Sequence, residues 1–281
     1  MINQESQIDK KQYPFNSNYV ALNGLRYHYI DEGNKDAEPI IMVHGNPTWS
    51  FYYRNLVKDL SPSYRTIAPD HIGCGLSEKP DPNSYNFDLT DRIDDLSSFV
   101  EKLNLERKIT LVVHDWGGMI ALSWARNNLD KIGRLIILNT SGFHLPAEKK
   151  MPFSLNLFRN TKIGARMILN YNAFGRGASH LCVKEKPLSK AVRKSYLAPY
   201  KTPKDRHSIL RFVQDIPLNP ADPSYHIVTL TQKSLKRFKN IPTLILWGAK
   251  DFVFDNTFLN EWRQHMPHAE IRNYQKAGHY V

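Results

Sequence analysis

Residues 110–118, Thr-Leu-Val-Val-His-Asp-Trp-Gly-Gly, decide how this 281-residue chain folds. An apolar run from Ile109 to Val113 stops abruptly at His114-Asp115-Trp116. Two glycines follow, then Met119-Ile120-Ala121-Leu122-Ser123-Trp124, which has the composition of a buried helix. The stretch therefore predicts a strand, a tight turn and a helix, with Asp115 at the apex. A carboxylate raised on such a turn is suited to attack a carbon that bears a leaving group, through a covalent ester.

Outward from this stretch the chain alternates strand and helix signals. Residues 19–22 and 25–30 flank Asn23-Gly24, the pair that supplies the positive φ angles of a type I′ hairpin. Ile40-Ile41-Met42-Val43, residues 64–68 and Leu135-Ile136-Ile137-Leu138 read as strands, and residues 51–60 and 88–103 as helices. This order predicts an α/β fold with a mostly parallel, doubly wound sheet, whose strand ends at Val43, Val113 and Leu138 line one edge. Ligands bind beyond the carboxyl ends of such strands. From residue 141 to 239 the strand signals cease, and helical segments at 155–169, 188–198, 204–215 and 223–238 alternate with Pro and Gly. The expected organisation is a core at 1–140, a helical cap at 141–239 and the rest of the core at 240–281. The last part begins with Thr243-Leu244-Ile245-Leu246-Trp247 and adds a helix at 256–265 and a strand at 270–274.

Charge is distributed unevenly. Residues 145–240 hold 19 Lys/Arg against 5 Asp/Glu, which exceeds the net +11 of the whole chain, while residues 1–144 hold 15 against 18. The cap is thus strongly basic. Either it is a solvated lysine-rich face, or it meets an anionic membrane surface or an acidic protein partner. No nucleic-acid motif accompanies the charge. The first residues carry no apolar leader-like core, and no apolar run reaches the ~20 residues that span a bilayer, so the expected location is cytoplasmic. Cys74 and Cys182 are too few for a disulfide framework or a zinc site and are read as free thiols. No metal and no organic cofactor is expected.

Four pieces fall at the ends of predicted strands: His44-Gly45-Asn46-Pro47, Asp115, Asp251 in Gly248-Ala249-Lys250-Asp251, and His279 in Ala277-Gly278-His279. Each alone is commonplace, since Asp and His occur in most loops. Together they run nucleophile, acid, histidine, the order of the α/β-hydrolases, whose nucleophile elbow residues 109–124 resemble. His44-Gly45-Asn46-Pro47-Thr48 and Val112-Val113-His114-Asp115-Trp116-Gly117-Gly118 resemble the haloalkane dehalogenase superfamily. More narrowly, residues 44–54, 69–77, 139–140, 211–218, 247–248 and 251–255 resemble the β-lactone decarboxylases of bacterial long-chain olefin biosynthesis, a third dehalogenase subfamily. The likeness spans nearly the whole chain.

The resemblance implies an α/β-hydrolase fold with an eight-stranded sheet and a cap. It implies Asp115 as nucleophile, His279 as base and Asp251 as its orienting acid. Backbone N–H groups of Asn46 and Trp116 would hold negative charge on the second oxygen of the nucleophile, and the Asn46 amide and Trp116 indole would cradle the leaving anion. The implied reaction converts a cis-3-alkyl-4-alkyloxetan-2-one into a cis-alkene and CO2. Hydrolytic dehalogenation is the alternative, and epoxide hydrolysis a further one that would need two cap tyrosines, from among Tyr171, Tyr196, Tyr200 and Tyr225. A non-catalytic binding protein on the same fold is a fourth. Implied partners are a small hydrophobic substrate and, through the basic cap, olefin-pathway proteins or an anionic membrane. Another dehalogenase subfamily carries its acid near Asn139, which is not acidic here. Asp255 is read as a helix N-cap and His114 as structural. Phe143, Leu145, Phe153, Phe158, Ile163, Met167, Leu169, Phe174 and Leu181 are candidate pocket residues. Relatives continue past His279 into a C-terminal helix, so an incomplete C-terminus and a mobile His279 are expected.

Overall fold

The computed structural model describes residues 8–281. Asn18–Leu22 (β1) and Leu25–Glu32 (β2) form the expected hairpin, with Asn23 and Gly24 at φ 49° and 83°. Pro39–Val43 (β3), Arg65–Pro69 (β4), Ile109–Asp115 (β5), Ile132–Thr140 (β6), Thr243–Gly248 (β7) and Glu270–Tyr274 (β8) complete one eight-stranded sheet in the order β1-β2-β4-β3-β5-β6-β7-β8. β2 is antiparallel to both neighbours, and every pairing from β4 to β8 is parallel.

Strands β3 and β5 are buried at every position because helices cover both faces of the sheet, which removes any polar–apolar alternation. Successive side chains enter two separate cores. Ile41, Val43, Leu111, Val113 and Ile137 pack on one face, and Ile40, Met42, Val112 and Leu138 on the other. Val43 pairs with Val113, which pairs with Ile137, so the three central strands end together as expected.

Helices Arg54–Leu60 (α1), Leu89–Leu103 (α2) and Trp116–Ala125 (α3) belong to this core. A 3₁₀ turn, Ser50–Tyr53, begins what the sequence reads as one helix at 51–60. Asp88 caps α2 by accepting from the Asp91 N–H at 2.9 Å, and Asn104 ends it in the left-handed conformation. Between β6 and β7 come Phe153–Asn160 (α4), Lys162–Tyr171 (α5), Ala173–Leu181 (α6), Lys190–Leu197 (α7), His207–Gln214 (α8) and Tyr225–Ser234 (α9). Asn256–His265 (α10) precedes β8.

The single helix expected at 155–169 is two. Thr161 is extended (φ −126°, ψ 145°), and its hydroxyl accepts from the Gly164 N–H at 2.9 Å, which starts a new helix. A Cβ on Gly164 would strike the Leu157 carbonyl, so only glycine lets α5 fold back so closely on α4. Helix α9 packs against α3, with Ser123 Oγ and Thr231 Oγ1 2.8 Å apart. Among the described residues no helix is long and apolar enough to cross a membrane.

Leu111 lies in the middle of the strand that carries the elbow and is fully buried between Ile41 and Leu135. Leu111→Ala is expected to cost about 2–5 kcal/mol, measured as a lowered urea midpoint with unchanged slope. A loss under about 1 kcal/mol would mean that this core collapses around the gap far more easily than its packing indicates.

Candidate active site

Asp115 ends β5 with φ 51° and ψ −128°, a conformation that costs a non-glycine residue of order 1–3 kcal/mol. Its surroundings hold it there. The Thr140 hydroxyl donates to its carbonyl oxygen, and the Asn46 N–H donates to Oδ1 at 2.6 Å. Glycine is required at two adjoining positions: a Cβ on Gly45 would meet Asp115 Oδ1, and one on Gly117 would meet the Val43 carbonyl. Because α3 starts at Trp116, the carboxylate also lies at the positive end of a helix.

Loops after β7 and β8 bring the other two residues to this point. His279 Nε2 is 3.5 Å from Asp115 Oδ2, and His279 Nδ1 is 2.7 Å from Asp251 Oδ2. Asp251 is fixed in turn, since Oδ2 accepts from Asn139 Nδ2 at 3.0 Å and Oδ1 from the Val253 N–H at 2.7 Å. All three residues are buried. Burial disfavours charge on His279, yet the flanking carboxylates of Asp251 and Asp115 hold its pKa well above the usual imidazole value. Burial likewise pushes Asp115 up, but its hydrogen bond and charge interaction with His279 bring it below the usual carboxylate range. The resting pair is therefore carboxylate and imidazolium. Such a site offers one nucleophilic oxygen, one proton donor and acceptor, and a fixed counter-charge.

Asn46 and Trp116 both border a cavity of about 290 Å³ that reaches Asp115 and His279. Asn46 Nδ2 donates to the Ile209 carbonyl at 3.2 Å, while its Oδ1 is buried with no partner. Of the two backbone donors expected at the nucleophile, the Asn46 N–H makes its bond and the Trp116 N–H makes none among the described residues. The remaining wall is mostly apolar and includes Met119, Phe143, Leu155, Phe158, Val213 and Phe254. Five of the nine candidate pocket residues line it: Phe143, Leu145, Phe158, Phe174 and Leu181. Phe153 and Ile163 are instead largely exposed, and Met167 and Leu169 are not among the lining residues.

Comparison with known proteins follows from this geometry. Residues 38–281 match the α/β-hydrolase fold family model. A cis-3-alkyl-4-alkyloxetan-2-one decarboxylase of Shewanella oneidensis is 50% identical over 95% of this chain and 84% of its own length. A haloalkane dehalogenase of Mycolicibacterium paratuberculosis is 33% identical over 96% and 89%. This chain belongs to the haloalkane dehalogenase superfamily of α/β-hydrolases. The crystal structure of a haloalkane dehalogenase from Bradyrhizobium elkani superposes on this hydrolase with a TM-score of 0.83 at 26% identity, covering 95% of this chain and 91% of that one.

The motifs contain His114 and Asn139 but do not show what either side chain holds in this hydrolase's site. His114, read as structural, points away from the cavity, stacks on Tyr52 with centroids 4.3 Å apart, and places Nε2 2.8 Å from the His279 carbonyl oxygen. Burial lowers the His114 pKa to about 3, so this contact is a neutral N–H donating to a carbonyl. The Tyr280 N–H donates to the Cys182 carbonyl at 2.9 Å, so the main chain around His279 is held on both sides. Asn139 turns out to be a holder of the acid: its Oδ1 accepts from the Gly248 N–H at 2.7 Å while its Nδ2 reaches Asp251. The sequence marked this position only through the likeness of residues 139–140 and as the place where another subfamily carries its acid. Asp255 caps α10 through the Thr257 N–H and pairs with Lys149, as its N-cap reading expects. None of Tyr171, Tyr196, Tyr200 and Tyr225 lines the cavity. Cys74 and Cys182 are buried free thiols, and among the described residues no group of three or more His, Cys, Asp or Glu is arranged to hold a metal ion.

The ion pair has a pH signature. His279 has a folded pKa raised above the unfolded value of about 6.5, so its contribution is complete below that pH and fades as pH rises through the folded value. Asp115 has a lowered folded pKa, so its contribution is complete above the unfolded value of about 4 and is lost only in stronger acid. The stability difference between this protein and its His279→Gln variant should therefore shrink as pH rises from about 6 to about 10. A difference that stays flat in urea titrations across that range would show that the resting histidine is neutral.

Proposed function

We propose that this enzyme decarboxylates cis-3-alkyl-4-alkyloxetan-2-ones to cis-alkenes and CO2. The observation that carries the reading is a buried aspartate nucleophile facing an apolar cavity, in a chain 50% identical to a relative bearing that name. The reaction breaks the ring C4–O bond and the bond from C3 to the carbonyl carbon. It forms the C3=C4 double bond and releases CO2, with no oxidant and no net proton consumed. The ring strain of a four-membered lactone supplies driving force, and an apolar wall suits two alkyl arms.

Asp115 is the nucleophile in this reading, and Oδ2, the oxygen not bound to the Asn46 N–H, is the one free to attack. The Asn46 N–H stabilises charge on Oδ1, and the Asn46 amide and Trp116 indole face the anion that develops on the opening ring. Attack of Oδ2 on ring C4 breaks the C4–O bond and leaves a carboxylate on C3. Loss of that carboxylate as CO2 moves the C3–carboxyl electron pair into the C3=C4 bond and expels the Asp115 carboxylate from C4, so the enzyme is regenerated without water or net proton transfer. The His279 imidazolium offsets the carboxylate charge in both steps, and Asp251 orients it and balances its charge. Residues 1–140 and 240–281 are the core that carries these groups, and 141–239 the cap that shapes the cavity. Reduced Cys74 and Cys182 support work in the cytoplasm. The basic excess of the insertion supports docking onto an anionic surface, whether a membrane or an olefin-pathway protein.

Hydrolytic dehalogenation is the second reading, favoured by the Asn46 and Trp116 side chains at the cavity wall, where a halide would leave. It uses the same residues, with His279 deprotonating the water that cleaves the alkyl ester. A paired assay separates the two: a long-chain cis-β-lactone followed by gas chromatography of alkene, and 1-bromohexane followed by bromide release. Alkene with little bromide is the expected outcome, and bromide without alkene would reverse the assignment.

Asp251→Asn should slow turnover roughly 10²–10⁴-fold, because the His279 imidazolium loses its counter-charge and tautomer control. Asp255→Asn should leave turnover close to normal, since asparagine caps a helix about as well as aspartate. Equal losses in steady-state kinetics would remove Asp251 from the catalytic set.

A further inference from the structure

The mouth of the cavity is built from side chains that a freely dissolved protein has little reason to expose. Leu181 and Phe252 line the cavity and are 54% and 37% exposed. Phe153 is 81% exposed and lies between Pro152 and Ser154, which both line the cavity. Farther along the same helical layer, Ile163 and Tyr171 are about two-thirds exposed. Cations are interleaved with these groups. Lys150 is exposed, next to a Lys149 that is already paired with Asp255, and Lys184 is exposed with its ammonium 5.8 Å from the Phe252 ring centroid. Lys162, Arg166, Arg176 and Lys186 are exposed and form no ion pair among the described residues. From 145 to 200 there are 11 Lys/Arg against 2 Asp/Glu.

We propose that this rim docks on an anionic lipid bilayer, with Phe153, Leu181 and Phe252 entering the headgroup layer and the surrounding lysines and arginines meeting lipid phosphates. Short helices that combine exposed aromatic and aliphatic groups with lysine and arginine have the chemistry of interfacial anchors. An acidic protein would meet the same cations and aromatics; the bilayer is favoured because the exposed apolar groups border the mouth of an apolar cavity. The location adds a second argument. A docked rim opens the cavity toward the acyl layer, so an alkyl substrate passes into the site without crossing water. That last step rests on the decarboxylase reading, whereas docking itself does not.

The test is flotation of the full chain with vesicles of pure phosphatidylcholine and with vesicles in which roughly one lipid in three is phosphatidylglycerol. Binding is expected on the anionic vesicles alone, and should fall at least tenfold between about 0.1 M and about 0.5 M salt as the Debye length shortens. Each rim lysine near the surface contributes roughly fivefold, so Lys150→Glu with Lys184→Glu should weaken binding by more than about 25-fold. Phe153→Ser should weaken it several-fold while leaving turnover of a detergent-dispersed lactone unchanged. No binding, equal binding to both vesicle types, or binding unaffected by these variants would overturn the proposal, the first leaving an acidic protein as the alternative occupant. Alkene formation from dispersed lactone is scored separately on the unaltered protein, so its failure to float with anionic vesicles while turnover is intact defeats docking alone, and vesicle binding without alkene defeats the reaction alone.

Discussion

The backbone of Asp115 is the constraint around which the site is organised. A carboxylate presented at the end of a central strand has to leave the strand and enter a helix within one residue, which puts it at φ 51°. That strain, of order 1–3 kcal/mol, persists only where neighbouring structure permits no alternative. Here the neighbours are close enough to enforce it. Gly45 lies against the carboxylate, Gly117 against the end of β3, and Gly118 against Thr140, each with no room for a Cβ. The glycines of the sequence motif are thus packing requirements of three converging strands. Displacing β3 or β6 would release Asp115 from this backbone geometry.

Electrostatics follow from that placement. A buried carboxylate is costly unless paired, and the only cation that reaches Asp115 among the described residues is His279. His279 would itself resist protonation when buried, so a second carboxylate is needed behind it, and Asp251 supplies it. Asp251 then needs donors of its own, which Asn139 and the Val253 N–H provide. Each layer thus satisfies the one before it, and the chain of hydrogen bonds runs from the apex of β5 to the loop after β7. The low dielectric that makes this network demanding also strengthens it, because the apolar cavity wall excludes competing water.

The elements carried by local chemistry were legible in the sequence. The hairpin is encoded by Asn23-Gly24, the elbow by an apolar run stopped at Asp115 and relieved by two glycines, and the mostly parallel character of the sheet by alternating strand and helix signals. The convergence of Asp115, Asp251 and His279 was legible because each falls at a strand end. The cap was legible only as helical. Its break at Thr161 depends on the contact of Gly164 with Leu157, which is tertiary information, and so the faces of α4 and α5 were misjudged. His114 and Asn139 were opaque for a related reason. Each acts on a residue more than a hundred positions away, His279 and Asp251 respectively, and neither pairing leaves a periodic trace.

The attachment of the insertion to the core bears directly on Trp116. Arg92 on α2 is buried, with its guanidinium 3.4 Å from the centroid of Phe212 on α8 and its Nη2 3.1 Å from Ser208. Phe212 lies against the Trp116 ring, with centroids 5.4 Å apart. At the next turn Asp215 accepts from the Leu89 N–H at 2.8 Å and from the Ser224 hydroxyl. A buried cation over an aromatic face is a strong contact, so α8 is held to α2 by polar groups, and its aromatic side is pressed onto Trp116, the residue after Asp115. Burial raises Asp215 and Asp95 to about 6, so near neutral pH both are largely carboxylates and offset the Arg92 charge. The helices that shape the cavity and the Trp116 side chain that lines it are therefore set by one latch, which ties the shape of the pocket to the orientation of that indole.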